Sequence, residues 1–308
     1  MPISVTILKR TDPMQHKLPV IILLAASILW GLSWLPLKGI NAMGIDGIVL
    51  IFFAYAVLAL LLSPLLLKHY TTWKEHKKMM ILIFIFGGGA NLAFTYALIN
   101  GEVIRVMVLF YLLPVWGVAG GRIFLKENID AWRYLGVLLA ISGAFFILGG
   151  FKVLDTPPSW IDLIALVSGL FFAMNNLLFR AAQALPVSSK LGSMFLGCFT
   201  LASLLLAAGV EQFPITVSEN AWLMLILYAV FWLLIANIGS QWSVTHMEAG
   251  RSSIIIILEL ITAVISATLI ANETMTPLEY MGGTLIMTAA FIEAFRTKDD
   301  DIPLTTIN

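Results

Sequence analysis

Ten apolar stretches succeed one another along this chain, each close to the roughly 20 residues a helix needs to cross a bilayer. They fall at 18–37, 47–67, 79–99, 103–121, 131–149, 160–179, 191–209, 221–243, 252–271 and 278–295. Turn and charge chemistry marks the joints: Lys68 to Lys78, Lys126 to Asp130, Asp155 to Ser159 and Pro186 to Lys190. No joint is long enough to hold a soluble domain. The apolar runs are continuous rather than alternating, which excludes a transmembrane β-barrel. Composition closes the soluble alternatives. Apolar residues make up 60% of the chain and charged residues 12%, against about 45–50% and about 25% in a soluble domain. A soluble enzyme, a nucleic-acid binder and a disordered hub are therefore excluded. The 18 Lys and Arg balance 18 Asp and Glu, so no basic footprint points to nucleic acid. The single Cys198 makes neither an internal disulfide nor a structural zinc site.

Orientation follows from Lys and Arg, which favour the cytoplasmic side. With the N-terminus in the cytoplasm, only Lys38, Arg105 and Lys152 of the 18 cationic side chains fall outside. A missed or extra span would scramble the charge of every later loop, so this bias also supports the count of ten. Both termini are expected in the cytoplasm, as a polar tail over 1–17 and another over 296–308. The first span is read as a retained helix rather than a cleaved signal peptide. The expected location is the inner (cytoplasmic) membrane of the cell, crossed many times.

The chain also repeats itself. A shift of 146 residues places Asn91 on Asn237, Glu102 on Glu248, Arg105 on Arg251, Glu127 on Glu273, Tyr134 on Tyr280 and Gly136 on Gly282. The first helices align at a nearby shift of 142, where Lys38 meets Arg180. The repeats are expected over 18–149 and 160–295. Each holds five spans, an odd number, so the second enters the membrane upside down relative to the first. Inverted repeats characterise secondary transporters, whose halves exchange roles as a central site opens to alternate sides. The same register marks helix starts. Thr276-Pro277-Leu278-Glu279 is a capping-box pattern with Pro at the first helical position. Glu127 and Glu273 sit three residues before their caps, and are expected to tie the interhelix turns to backbone amides.

Several of these residues carry a resemblance. The first repeat has Leu29-Trp30-Gly31, then Leu113-Pro114-Val115, Glu127 and Gly136; the second has Leu258-Glu259-Leu260, Glu273 and Gly282. In this order and spacing, over nearly the whole chain, the sequence resembles the drug/metabolite transporter superfamily with two EamA-type repeats. The resemblance implies ten transmembrane helices as two inverted five-helix repeats, around a cavity lined by spans 1, 3, 4, 6, 8 and 9. It also implies export of amino acids or similar metabolites. Two positions depart from the family pattern. Leu260 stands where a proline is common, so span 9 should be less broken than span 4, where Pro114 removes a backbone donor. Ala54-Tyr55 stands where span 2 commonly carries Arg-Phe, so no role of that arginine transfers.

Polar groups in hydrocarbon are costly unless they face the bundle or a wet cavity. Asn91, Thr95 and Glu102 share one face of span 3, and Asn237, Gln241 and Glu248 share the matching face of span 8. The two Asn either line a cavity or staple neighbouring helices, an interaction worth about 0.6 kcal/mol on average. Ser27, Trp30, Trp34 and Lys38 share a face of span 1, and Ser168, Phe172, Asn176 and Arg180 its counterpart in span 6, with Asn175 adjacent. Trp30 and Trp34 either wall a site for an aromatic solute or pack the core. Pro36 is positioned to kink span 1, while Tyr96 and Trp242, matched across the repeat, are placed to bound a cavity. Glu259 lies near mid-depth with no cation nearby in sequence. A buried carboxylate either protonates or finds a partner, so Glu259 selects or couples a solute, or is a protonated acid bonded to backbone. Its repeat partner is apolar Leu113, with Trp116 below it.

No nucleotide-binding loop and neither an H-E-x-x-H nor a G-x-S-x-G motif occurs. The four His are scattered among tails and loops. The chain is therefore expected to be no enzyme and to use no metal or other cofactor. The alternative from another class, an intramembrane enzyme, would have to use Glu259 with an unidentified partner. The expected function is secondary transport of a small metabolite, amino acids first and amphiphilic amines or drugs second, driven by the solute's gradient or by proton exchange. The expected partners are that solute and the lipid bilayer, with no nucleic acid; a monomer suffices.

Overall fold

The computed structural model describes residues 13–112, 115–116, 119, 131–151, 158–214, 216–246 and 249–296, and every regular element among them is helical. The first span is split into α1 (Pro13–Gly31) and α2 (Trp34–Ala42). Then follow α3 (Gly47–Lys68), the short α4 (Tyr70–Glu75), α5 (Lys77–Asn100), α6 (Val103–Phe110) and α7 (Ala131–Ile147). The second half holds α8 (Trp160–Ala181) and α9 (Val187–Ala207). Its eighth span is α10 (Glu219–Tyr228) and α11 (Leu234–Thr245), joined by a π-helical turn over Ala229–Leu233. Helices α12 (Ala249–Ile270) and α13 (Pro277–Arg296) complete it. Six of these segments are long and apolar enough to cross a bilayer outright, the first being Leu18–Ala42, and two shorter apolar helices are Tyr134–Ile147 and Ile255–Ile270.

Local chemistry explains where the helices start and bend. Thr276 and Glu279 form the expected capping box: Glu279 Oε2 accepts from Thr276 N at 2.7 Å, and Thr276 Oγ1 accepts from Glu279 N at 3.3 Å. Ser159 and Asp162 make a second box at the start of α8. Pro36 has no N–H for the carbonyl of Leu32, and the first span tightens just ahead of it. Ser33 N donates to Trp30 O at 3.0 Å and Leu35 N to Leu32 O at 3.1 Å, both one residue shorter than α-helical bonds. The span nevertheless continues to Ala42, five residues past its expected end. Helix α6 ends at Phe110, four residues before Pro114; a proline ring clashes with the carbonyl four residues upstream. Pro114 itself, Glu127 and Glu248 lie outside the described residues. Helix α12, with Leu260 in place of the family's proline, is unbroken.

The packing is that of two inverted copies. The first span lies beside α12 in parallel, since Gly31 meets Glu259 and Thr262 while Trp34 meets Ser266. Helix α8, the first of the second repeat, lies beside α6 in parallel, through Arg105 on Asp162 and Phe110 on Gly169. Each repeat thus lays its first helix against the fourth helix of the other. The same exchange holds for third helices. The first span runs antiparallel to the eighth, with Leu29 at Trp232 and Ile22 at Gly239, and α8 runs antiparallel to α5, with Ile161 at Gly101 and Asn175 at Gly87. The fifth helices cross each other: Gly143 faces Gly282, and Gly136 faces Ala289. Under the 146-residue shift these two contacts are images of one another, so the pseudo-twofold axis passes between α7 and α13.

Candidate functional site

Four helices from both repeats converge at mid-depth through aromatic side chains. Trp30 of α1 meets Phe94 of α5 edge to face, with ring centroids 6.4 Å apart. Phe94 lies 4.6 Å from Phe110 of α6, and Phe110 lies 5.2 Å from Phe172 of α8 and 5.5 Å from Tyr111. Such edge and tilted contacts are favoured by the ring quadrupole. Tyr111 is the link to α12: its hydroxyl donates to the Ile256 carbonyl at 2.9 Å and faces the carboxyl of Glu259. Glu259 is 8% exposed. Its own backbone is held close to α1, since a Cβ on Gly31 would stand 2.5 Å from the Glu259 carbonyl oxygen. The arrangement offers flat apolar rings beside one carboxyl, chemistry suited to an amphiphilic solute with a hydrogen-bond donor or an amine.

The residues singled out in the sequence divide into groups. Trp30 and Glu259 reach the convergence. Trp34 is buried and its indole Nε1 donates to Ser266 Oγ at 3.0 Å, so it fastens α2 to α12. Asn91 is a staple: its Oδ1 accepts from the Tyr55 hydroxyl of α3 at 2.8 Å, and its Nδ2 returns to Gly87 O. Buried Thr95 stands within hydrogen-bonding reach of the same hydroxyl. Asn237 is buried and its Nδ2 donates to Leu233 O one turn back. Gln241 is buried on the same face of α11. Tyr96 packs at Gly47, at the start of α3, and Trp242 stacks on His246 at 4.4 Å, so the two do not meet across a common space. Glu102 is exposed and lies beyond the end of α5, because the helix stops at Asn100 and Gly101 is extended. Its place in the polar stripe is therefore corrected.

Three buried polar groups in this half-depth region lack partners among the described residues: Asn175 Oδ1, Trp116 Nε1 and the Tyr228 hydroxyl. Asn175 is 1% exposed and faces α5 at Gly87; its neighbour Asn176 is half-buried. An unsatisfied buried polar atom costs about 1–3 kcal/mol, and is retained where something else meets it during function. Phe94, Phe110 and Tyr111 were missed in the sequence, where aromatics in a hydrophobic helix read as packing. The one available signal was that Phe110 and Tyr111 precede the Leu113-Pro114-Val115 motif.

Glu273 departs from expectation in an informative way. Its carboxylate does accept from backbone amides, but those of another helix. Oε1 accepts from Val103 N at 2.9 Å and Oε2 from Ile104 N at 3.0 Å. The α12–α13 turn instead closes by Glu273 N donating to Ala267 O. Free amides at a helix start attract carboxylates through their unpaired N–H groups and the macrodipole. The N-terminus of α6 offers that, and the turn before α13 already has Glu279. A second carboxylate does the same nearby: Glu211 Oε2 accepts from Ile48 N, at the start of α3, at 2.6 Å. Burial raises the Glu211 carboxyl above its ordinary range, against the lowering effect of the Ile48 and Val49 amides, and neighbouring Asp46 adds to the rise.

Comparison with known proteins agrees with this architecture. The EamA-like transporter family matches over residues 17–149 and again over 159–294. An uncharacterized transporter of Bacillus subtilis strain 168, YoaV, is 21% identical over 297 residues, covering 89% of this chain and 95% of its own. An uncharacterized transporter of Archaeoglobus fulgidus is 26% identical over 180 residues, 56% of this chain and 54% of its own. A solved crystal structure superposes with a TM-score of 0.59 over 90% of this chain and 96% of the other, at 14% identity, a likeness of fold. With a family match in each half, the chain belongs to the EamA-like transporter family.

Proposed function

We propose that this transporter exports a small organic metabolite across the inner membrane by alternating access, with the solute held between the two inverted repeats at mid-depth. The observation that carries the reading is the convergence of Trp30, Phe94, Phe110 and Phe172 beside Glu259, drawn from helices of both repeats. A site shared by both halves changes its exposure when they move relative to each other. Gln241, Asn175, Asn176 and Trp116 supply further polar contacts as the solute passes. Amino acids and related compounds are the first substrate class. The lone carboxyl beside aromatic rings specifically favours a second, amphiphilic amines, since an ammonium pairs with a carboxylate and lies well on a ring face. Both termini lie in the cytoplasm in this reading.

Counterflow into proteoliposomes with labelled amino acids, nucleotides and amines, at two pH values, tests the proposal. Accelerated exchange is expected for one of these classes. Glu259→Gln keeps the shape and removes the ionisable group, and is expected to lower that exchange at least about tenfold, the worth of one charge-assisted hydrogen bond. It should also flatten the pH dependence. Unchanged rate, preference and pH profile in Glu259→Gln would remove Glu259 from the site. No exchange with any class would remove the substrate assignment.

A further inference from the structure

The end of the bundle that the charge bias places outside is closed by a small polar cluster. Lys38, near the end of α2, donates through Nζ to the Gly101 carbonyl at 2.8 Å, at the end of α5. The same ammonium lies 3.7 Å from Glu273 Oε1. Glu273, in the turn between α12 and α13, accepts in turn from the first two amides of α6. Two side chains therefore join four chain segments. They fall into two groups, the first span with α12, and α5 with α6. Inside each group the packing is backbone-close. Gly31 lies on the Glu259 carbonyl, and α8 holds α5 and α6 together through Gly89 on Phe171 and Gly169 on the Phe110 carbonyl. Between the groups, at this end, the connection is charged and reaches water: the Lys38 and Glu273 side chains are 32% and 16% exposed.

We propose that Lys38 and Glu273 form an outer latch, which must part before the midplane site opens outward and which holds the resting protein closed on that side. The two sets of contacts differ in what breaking them costs. Glycine-packed backbones in hydrocarbon gain nothing from water when separated. An ammonium, a carboxylate and a helix N-terminus are all hydrated once apart. The latch is therefore the seam that yields. It also explains an otherwise idle pair of charges: Lys38 is one of only three cations on the outer side, and it is spent on a carbonyl and a carboxylate. Beside the latch lies a polar recess of about 300 Å³ lined by Glu102, Arg105, Asn272, Glu273 and Glu279, which gives water access to the contacts that must break.

The test reads conformation and needs no substrate, so it stands or falls separately from the transport reading. Cys198→Ser removes the native thiol, and spin labels at Trp160→Cys and Thr274→Cys, both exposed positions, mark the two groups at the outer end. Double electron–electron resonance in lipid nanodiscs is expected to give one short distance for the otherwise native chain. Lys38→Met and Glu273→Gln are each expected to raise the long-distance fraction by about tenfold, the effect of losing a charge-assisted hydrogen bond on a two-state balance. Lys38→Arg, which keeps the charge and the donors, should restore the short distance. If Glu273→Gln does not reach the membrane, Lys38→Met alone decides. A short distance that persists in Lys38→Met overturns the proposal, as does an equally long distance in Lys38→Arg and Lys38→Met.

Discussion

Asp162 shows how much a single side chain holds at the outer end. It accepts from Arg105 Nε at 2.6 Å and Nη2 at 2.9 Å while also capping α8 through Ser159 N. Arg105 spends its remaining reach on the Ile147 carbonyl at 3.2 Å, so one pair ties α6, α7 and α8. Asp162→Ala is expected to cost about 2 kcal/mol, less than the roughly 3–5 kcal/mol of a fully buried pair. The Arg105 side chain is 28% exposed, and water screens it once its partner is gone. The thermal unfolding midpoint in detergent measures this, and adding Arg105→Met should recover part of the loss. Glu211 makes a prediction with a sign. Burial raises its carboxyl in the folded protein, so over the window between the ordinary and the raised value the folded state binds more protons. Stability there falls as pH rises, and acidification from neutral pH through that window is stabilising at this site. Glu211→Gln keeps an acceptor for Ile48 N and is expected to remove that part of the pH dependence of the unfolding midpoint.

Among the elements, the π-turn of the eighth span has a job that follows from the bend in the first. Tightening ahead of Pro36 sends Ser33 N to Trp30 O and so leaves the Leu29 carbonyl without its usual donor. Trp232, within the π-turn, supplies one: its Nε1 donates to Leu29 O at 2.8 Å. The extra residue of such a turn also sets the azimuth of all that follows. Deleting lipid-facing Phe231 is expected to restore a plain α-helix and rotate Asn237 and Gln241 by about 100°. Transport should be abolished in protein that still reaches the membrane, read by counterflow and by detergent-stable elution. The spans themselves were legible, because continuous apolar runs and capping residues are local signals. The capping box at Thr276 and the unbroken α12 were read correctly for the same reason. What was not legible depended on a partner far along the chain. Asn91 gave no sign that Tyr55 would take it up, Glu273 none that its amides belonged to α6, and Glu102 was carried along a helical register that ends at Asn100.

At the level of the whole molecule, inversion was readable from an odd number of spans per repeat, and the packing makes it concrete. The first helix of each repeat lies against the fourth of the other, and α7 crosses α13 with glycine on glycine. A Cβ on Gly143 would stand 2.6 Å from the Gly282 carbonyl oxygen, and one on Gly282 would stand 2.5 Å from that of Gly143. Gly143→Val is expected to force the pair apart at about 1–3 kcal/mol, the usual range for overpacking, and to lower the unfolding midpoint. Gly136→Ala, where the nearest atom to a new Cβ is 3.8 Å away, should leave it almost unchanged. The crossing sits on the line relating the two copies. In the proposed cycle it is the fulcrum, the one place that need not travel whichever mouth is open, and a lipid tail wedged there would jam the release of cargo in both directions at once.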